Sequence, residues 1–308
     1  MSEAFDCALP VSVAGGEMTV ATAGAPVAGA DGVVLALHGI AASHRAWASV
    51  ARRVRAGSHA ALLAPDLRGR GASAQLPGPH GIAQHVADMV DVLDHFGVDS
   101  AVVAGHSMGA YVAARLAAEH PERVSQLVLV DGGLPMPGAG EEDPDDALQT
   151  ILGPSFARLG ITFTRRADYL HLWRLHPAFS GPWDTDVLAY LTYDVASAGD
   201  PRQPEAVRPV IRPEAVHADG RELLVDEVTR TAVTRVPAPV RIVRAERGLL
   251  DDEEHPLLTL AQMDALAATR PDVAIDRVSD VNHYTVLLGP GPGARRVTRA
   301  ILAALDES

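Results

Sequence analysis

Short apolar runs alternate along the chain with longer amphipathic stretches. Residues 33–37, 101–104 and 127–130 are apolar without alternation, and residues 240–243 are apolar except for Arg241, which is typical of parallel strands covered by helices on both faces. We predict eight strands, at residues 10–14, 18–23, 32–38, 60–65, 99–105, 124–131, 240–245 and 273–278. The amphipathic stretches predict helices at residues 45–56, 82–96, 108–119, 257–268 and 295–305. This alternation predicts an α/β fold with an eight-stranded, mostly parallel sheet and flanking helices.

The alternation stops between residues 134 and 235, where a mainly helical segment intervenes. We therefore predict a core domain at residues 1–133 and 236–308, with a helical cap inserted at 134–235. Eight of the thirteen aromatic residues lie in this insertion, which indicates a small core of its own, a roof over an apolar pocket, or some of each. Those eight are Phe156, Phe163, Tyr169, Trp173, Phe179, Trp183, Tyr190 and Tyr193.

The first part of this insertion, residues 135–146, is rich in proline, glycine and acidic side chains. Its acidic residues are Glu141, Glu142, Asp143, Asp145 and Asp146. Charge runs of this kind are usually solvated. We therefore expect an exposed loop there and no metal site.

A Gly-x-Ser-x-Gly pentad, Gly105-His106-Ser107-Met108-Gly109, stands between a predicted strand and a predicted helix. A sharp turn at this position lifts the serine hydroxyl above the sheet, and glycine at the flanking positions avoids clashes with neighbouring backbone. The N-terminus of the following helix favours developing negative charge. The pattern indicates a nucleophilic serine at Ser107.

Three further stretches match a known family in the same order as the pentad. They are Leu37-His38-Gly39-Ile40, the run from Pro65 to Gly71, and Asn282-His283-Tyr284. With these stretches the chain resembles the α/β-hydrolase superfamily, and within it the serine hydrolases that carry a helical cap. The resemblance covers nearly all of the predicted sheet domain. The resemblance implies Ser107 as nucleophile and backbone N–H groups of Ile40 and Met108 as the oxyanion hole. It implies a structural role for residues 66–69.

His283 follows the last predicted strand, and the family order of serine first and histidine last singles it out as the general base. Other histidines compete poorly for this role. His106 lies inside the pentad, where the family tolerates almost any residue, and we expect His85 and His95 on helix surfaces. His171, His176 and His217 fall in the predicted cap.

The acid that orients the histidine remains open at this point. The family usually places it just after the strand predicted at 240–245, but Gly248 occupies that position here. Asp251, Asp252 and Glu246 are near enough to serve if the loop is reshaped. The other known position is the end of the strand at 124–131, where Asp131 stands. We favour Asp131 over Asp251.

Composition narrows the possible partners. With 26 basic and 39 acidic residues the formal charge is −13, which would repel nucleic acid and anionic membranes. No apolar run approaches the length needed to span a bilayer. Glu3 and Asp6 precede any apolar stretch, unlike a secretory signal, so we expect a cytoplasmic protein. The oligomeric state stays open.

Residue counts also exclude some kinds of chemistry. The single cysteine, Cys7, cannot form an internal disulfide, and we expect it to be a small buried apolar residue. No histidine spacing suggests zinc, and the chain contains no lysine, so a Schiff base is excluded. We expect no cofactor and no metal.

The resemblance implies hydrolysis of an ester, lactone or thioester through an acyl-enzyme on Ser107, and we expect the substrate to be a small apolar molecule. Serine at the centre of the pentad argues against epoxide hydrolases and haloalkane dehalogenases, which use a carboxylate nucleophile. A carbon–carbon bond hydrolase of a diketone keeps the same serine and histidine. A cyclase or ligand-binding member of the fold is a third possibility, because fold alone does not fix function.

Overall fold

The computed structural model describes residues 3–136 and 143–308. Its central sheet has eight strands: β1 (Cys7–Val13), β2 (Gly16–Gly24), β3 (Val33–Leu37), β4 (Ala61–Pro65), β5 (Ala101–His106), β6 (Val124–Val130), β9 (Val240–Ala245) and β10 (Ala274–Val278). Their order across the sheet is β1-β2-β4-β3-β5-β6-β9-β10. The first two pairings, β1 with β2 and β2 with β4, are antiparallel, and all the others are parallel. The predicted fold class and all eight strands are confirmed.

Helices cover both faces of the sheet. They are α1 (Ala48–Gly57), α2 (Ile82–His95), α3 (Met108–Glu119), α9 (Leu260–Thr269) and α10 (Pro292–Asp306). Successive residues of β3 point to opposite faces, so that Leu35 and Leu37 join one apolar core while Val34 and Ala36 join the other. The predicted helix at 108–119 has the predicted bounds, and the others agree within a few residues.

The segment predicted as an insertion, which we call the cap, is mainly helical in its described part. It contains α4 (Pro144–Ala157), α5 (Arg166–Leu175), α6 (Thr185–Tyr193), α7 (Pro213–Val225) and α8 (Glu227–Thr231). It also contains a small antiparallel pair, β7 (Val195–Ser197) with β8 (Val207–Pro209), which the sequence analysis did not predict.

The acidic run at the start of the cap is not a loop throughout. Asp143 caps α4, and its side chain accepts a hydrogen bond from the Asp145 backbone N–H. Asp145 and Asp146 lie in the first helical turn, where the helix dipole favours acidic side chains. The loop prediction is therefore wrong from Pro144 onward, whereas Glu141 and Glu142 lie outside the described residues.

Cys7 is exposed, contrary to the expectation that it would be buried. It begins β1, which is the edge strand of the sheet, and the first four residues of that strand are exposed. Val11, further along β1, is the residue that enters the core. Position on an edge strand, and not residue type, decides the exposure of this cysteine.

A buried group of charged side chains joins the cap to the sheet domain. Asp219 of α7 lies 2.5 Å from Arg70 Nη1 and 2.9 Å from His85 Nε2, with all three side chains fully buried. Asp219 also accepts a hydrogen bond from the Gly81 backbone N–H, and Glu222 accepts one from Ile82. Two cap carboxylates therefore satisfy the free N–H groups at the start of α2.

The same group corrects the prediction that His85 lies on a helix surface. The His85 side chain is fully buried because Asp219, which is distant in sequence, provides its hydrogen-bond partner. Burial alone would raise the pKa of Asp219, but the charges of Arg70 and His85 outweigh it and hold this pKa below its ordinary value.

We predict that Asp219→Asn destabilises the protein by about 3–5 kcal/mol at pH 7, because it leaves a buried arginine without its counter-charge. A carboxylate with a lowered pKa stabilises the fold above its unfolded-state pKa, and this contribution is lost as the pH falls through the folded-state pKa. The variant should therefore lose less stability than wild type between neutral and strongly acidic pH. Urea unfolding across pH measures both effects.

The matched control is Asp168→Asn, which removes an exposed cap aspartate paired with Arg165. An exposed pair of this kind contributes at most about 1 kcal/mol. Equal unfolding midpoints for Asp219→Asn and wild type at pH 7 would show that the buried group does not hold the cap.

Candidate active site

Ser107 occupies a sharp turn between β5 and α3. Its backbone has φ 55° and ψ −123°, a conformation that non-glycine residues rarely adopt. Its N–H donates to the Val130 carbonyl at 3.0 Å, which ties the turn to the end of the neighbouring strand β6. The turn therefore presents the serine side chain at the carboxyl edge of the sheet.

Glycines let other backbone segments approach this turn closely. A Cβ at Gly105 would lie 2.2 Å from the Gly109 carbonyl oxygen, and one at Gly109 would lie 2.3 Å from the Leu37 oxygen. A Cβ at Gly132 would lie 2.4 Å from the Ser107 oxygen. These distances are too short for any side chain. Both pentad glycines and Gly132 are thus required by packing.

Asp131 and His283 form a buried hydrogen bond beside the turn. Asp131 Oδ2 lies 2.7 Å from His283 Nδ1, and Asp131 Oδ1 accepts from the Ala245 backbone N–H at 3.1 Å. Asp131 is fully buried and directly follows β6. Because the carboxylate accepts a hydrogen bond from the Nδ1–H group, the other ring nitrogen, Nε2, is left to act as an acceptor.

Ser107 and His283 line the same cavity. Within the described chain, no hydrogen bond joins the serine hydroxyl to the histidine ring. Catalytic hydrogen bonds are often long without substrate and shorten in the complex. The two side chains are therefore brought to one site, without the contact that a proton transfer requires.

The other three candidate acids have different partners. Asp251 Oδ1 accepts from Asn282 Nδ2 at 3.0 Å, and Asp252 Oδ1 accepts from the His255 backbone N–H at 2.7 Å. Glu246 Oε2 accepts from the Asp280 backbone N–H. Each of these carboxylates holds a loop near β9 or β10.

Ile40 and Met108 line the cavity next to Ser107. Neither backbone N–H has an acceptor among the residues that the structure describes, so both are free to meet a negatively charged oxygen. His38 holds the turn before Ile40: its Nε2 accepts from the Leu67 N–H at 3.0 Å, which leaves Nδ1 to donate to the Gly39 carbonyl at 2.8 Å. Burial lowers the pKa of His38 to about 3, and the ring is neutral.

The turn after β4 has the structural role that the sequence analysis gave it. Asp66 accepts hydrogen bonds from the His44 backbone and ring, from the Ala72 N–H and from the Tyr193 hydroxyl of α6. Burial alone would raise the pKa of Asp66, but the His44 and Tyr193 hydrogen bonds lower it. Asp66 thus fastens a second cap helix to the sheet domain.

His106 has a specific contact that the sequence analysis missed. Its Nε2 lies 2.9 Å from the His283 carbonyl oxygen, and the two rings are 4.7 Å apart. Burial and then the neighbouring His283 lower the pKa of His106 well below its ordinary value, so the ring is neutral and donates from Nε2. The variable position of the pentad thus supports the backbone of the loop that carries His283.

The cavity above Ser107 is mainly apolar. Trp173 and Tyr190 from the cap line it, while Tyr169 and Phe179 are buried in an apolar core that includes cap residues. The cap aromatics therefore both roof the cavity and form a core. Other apolar lining residues are Ile40, Met136, Leu148, Ile151, Leu223, Leu249, Leu257, Leu287 and Leu288.

Among residues 3–136 and 143–308, no cluster of three or more His, Cys, Asp or Glu side chains could hold a metal ion. Among the same residues, no helix has both the length and the apolar character required to cross a bilayer.

The profile of the alpha/beta hydrolase fold family matches residues 32–190, which is more than half of the chain. The chain belongs to the α/β-hydrolase family. The matched residues include the turn before Ile40, the whole pentad and Asp131. They extend through most of the cap and end before His283.

Two curated relatives match a shorter part of this α/β hydrolase. The lipase LipV of Mycobacterium tuberculosis is 35% identical over 128 residues, which cover 41% of this chain and 48% of the relative. The putative carbamate hydrolase RutD of Caulobacter segnis is 36% identical over 111 residues, covering 35% and 40%. The chain thus matches less than half the length of either relative.

Solved structures match nearly the whole chain at low identity. An E-2-(acetamidomethylene)succinate hydrolase has a TM-score of 0.77 at 19% identity, covering 97% of this chain and 99% of that one. The thioesterase domain from the curacin biosynthetic pathway has a TM-score of 0.72 at 20% identity, covering 98% and 100%. At these identities the likeness shows the shared fold alone.

We predict that Gly132→Ala destabilises the protein by about 1–3 kcal/mol or more, because the new Cβ overlaps backbone atoms that cannot move independently. The matched control is Gly153→Ala in α4, where an added Cβ meets nothing within 4 Å. Alanine in a helix should be neutral or stabilising there. Urea unfolding of both variants measures the difference, and equal midpoints would contradict the close approach at Ser107.

Proposed function

We propose that this protein is a serine hydrolase that cleaves an ester, lactone or thioester through an acyl-enzyme on Ser107. His283 acts as the general base, and Asp131 orients its ring. The observation that carries the proposal is the 2.7 Å hydrogen bond between buried Asp131 and His283, next to the cavity that Ser107 lines. An acceptor nitrogen in the cavity that a strained serine turn also lines is the arrangement that nucleophilic catalysis uses.

The proposed reaction has two halves. His283 Nε2 removes the proton from Ser107 Oγ as this oxygen attacks the substrate carbonyl carbon. The resulting oxyanion accepts hydrogen bonds from the backbone N–H groups of Ile40 and Met108. Each such donor is worth about 10²–10³ in rate. The alcohol or thiol then leaves with the proton from His283, and water, activated by the same ring, hydrolyses the acyl-enzyme.

The apolar lining and the curated relatives support a carboxylic acid derivative as substrate. A cavity roofed by Trp173 and Tyr190 favours an acyl or alcohol group with an apolar body. The names of the two relatives refer to a lipase and a carbamate hydrolase. We propose a small molecule of this class, cleaved without cofactor or metal.

We predict that Ser107→Ala lowers kcat by about 10⁴-fold or more on any ester that the wild type cleaves, because no acyl-enzyme can form. Activity is measured on p-nitrophenyl acyl esters, lactones, thioesters and a vinylogous 1,5-diketone, with circular dichroism as the folding control. A fluorophosphonate probe should label wild type and not the variant. Labelling without ester hydrolysis, together with diketone cleavage, would replace this proposal by carbon–carbon bond hydrolysis.

We predict that Asp131→Asn lowers kcat by about 10⁴-fold, because the amide cannot stabilise the imidazolium that forms during attack. Asp251→Asn is the matched control, since Asp251, like Asp131, has a positive φ but contacts Asn282 and not the His283 ring. It should change kcat only mildly. The reverse ranking of the two variants on one ester would place the acid after β9.

A further inference from the structure

Arg158 is a buried charged residue of the cap that lines the cavity above Ser107. It follows α4 and begins a short 3₁₀ turn, Arg158–Gly160. Its side chain is 2% exposed. Arg158 and Trp173 line both the cavity above Ser107 and an adjoining cavity bounded by Leu172 and His176. The Arg158 side chain therefore borders two open spaces.

Only part of this guanidinium is satisfied by the protein. Nη2 lies 3.2 Å from the Ala41 carbonyl oxygen and 3.2 Å from Asp194 Oδ2. Nε and Nη1 are buried without a hydrogen-bond partner in the described chain, and the same is true of Trp173 Nε1. Unpaired buried donors are destabilising, and native structures rarely keep them without a function.

The arginine keeps its charge in this position. Burial alone would lower the pKa of Arg158, but the Asp194 carboxylate and the Tyr169 and Tyr190 hydroxyls outweigh it and raise the pKa above its usual range. Asp194 also accepts a hydrogen bond from the Tyr169 hydroxyl, so its charge is shared between Arg158 and Tyr169. A cation with two unpaired, buried N–H-bearing nitrogens therefore lies in the wall of the cavity.

We propose that Arg158, together with Trp173 Nε1, binds a carboxylate carried by the substrate at a distance from the bond that is cleaved. This inference rests on the proposed hydrolase function and names its substrate class: an acyl compound with an apolar body and a terminal carboxylate. The unpaired atoms are all donors, which a carboxylate, as an acceptor-only group, satisfies. A monoanion fits better than a phosphate dianion because Asp194 already compensates part of the arginine charge.

The test compares two matched esters of adipic acid, the mono-p-nitrophenyl ester with a free carboxylate and its neutral methyl p-nitrophenyl diester. Wild type should favour the carboxylate ester by about 10- to 100-fold in kcat/KM, which is the contribution expected of a charged hydrogen bond in a buried site. Most of this preference should lie in KM, because the anchor is remote from the reacting atoms.

Arg158→Met should reduce this ratio to about one, since it replaces the apolar stem of the side chain and removes the charged guanidinium. The ratio is the readout because a merely structural defect lowers both rates together. Arg165→Met removes an exposed cap arginine and is the matched control that should keep the wild-type ratio. If Arg158→Met does not fold, the double variant Arg158→Met/Asp194→Asn removes both buried charges and should show the same loss.

Calorimetry with adipate and with neutral adipamide separates this inference from the proposed function. Adipate should bind wild type and Ser107→Ala alike, and Arg158→Met should bind it at least ten-fold more weakly. Ester hydrolysis with no carboxylate preference and no adipate binding would overturn the inference while leaving the hydrolase proposal intact. Adipate binding that depends on Arg158, without hydrolysis of any ester, would support the site and overturn the hydrolase proposal.

Discussion

The left-handed backbone of Ser107 is the constraint on which the rest of the site depends. A serine held at φ 55° stays there only if its surroundings over-determine the turn. Here the surroundings are three backbone segments that approach through Gly105, Gly109 and Gly132, with no room for a Cβ at any of them. The strands β3, β5 and β6 must therefore end together. In the pairing register Leu37 is opposite Gly105, and His106 is opposite Val130.

The register has a direct chemical result. Ser107 and Asp131 are the next residues after the paired His106 and Val130, so the turn and the carboxylate leave the sheet at the same level. His283 reaches the same edge from the far end of the chain, where Asp131 holds its ring and His106 holds its backbone carbonyl. Parallel strands that end at the same level thus bring together residues that are far apart in sequence.

Local signals explain which features were predictable. The eight strands and helix α3 were predicted because uninterrupted apolar runs and a glycine-flanked serine are local patterns. The β7–β8 pair was missed because each strand has three residues, too few for a period-two pattern to stand out. Cys7 was misplaced because its exposure depends on which strand forms the sheet edge.

Contacts between distant residues explain what the sequence left open. The sequence analysis reduced the acid that orients His283 to four candidates. Their distances to His283 do not follow from the sequence, because Asp131 is separated from His283 by 152 positions. His85 looked like a surface residue because its partner, Asp219, is 134 positions away in the cap. The two unpaired nitrogens of Arg158 become visible only when every hydrogen bond around that side chain can be counted.

Arg70 connects the cap with the turn after β3. Arg70 Nη1 pairs with the cap carboxylate Asp219, while Arg70 Nε donates to the carbonyl of Ile40, whose N–H belongs to the proposed oxyanion hole. The insertion is therefore not a module that can be exchanged freely for that of another family member. A chimaera that brings a new cap must carry an acidic side chain to the position of Asp219. Otherwise the new cap leaves Arg70 without its counter-charge, and the disturbance reaches the turn that carries Ile40.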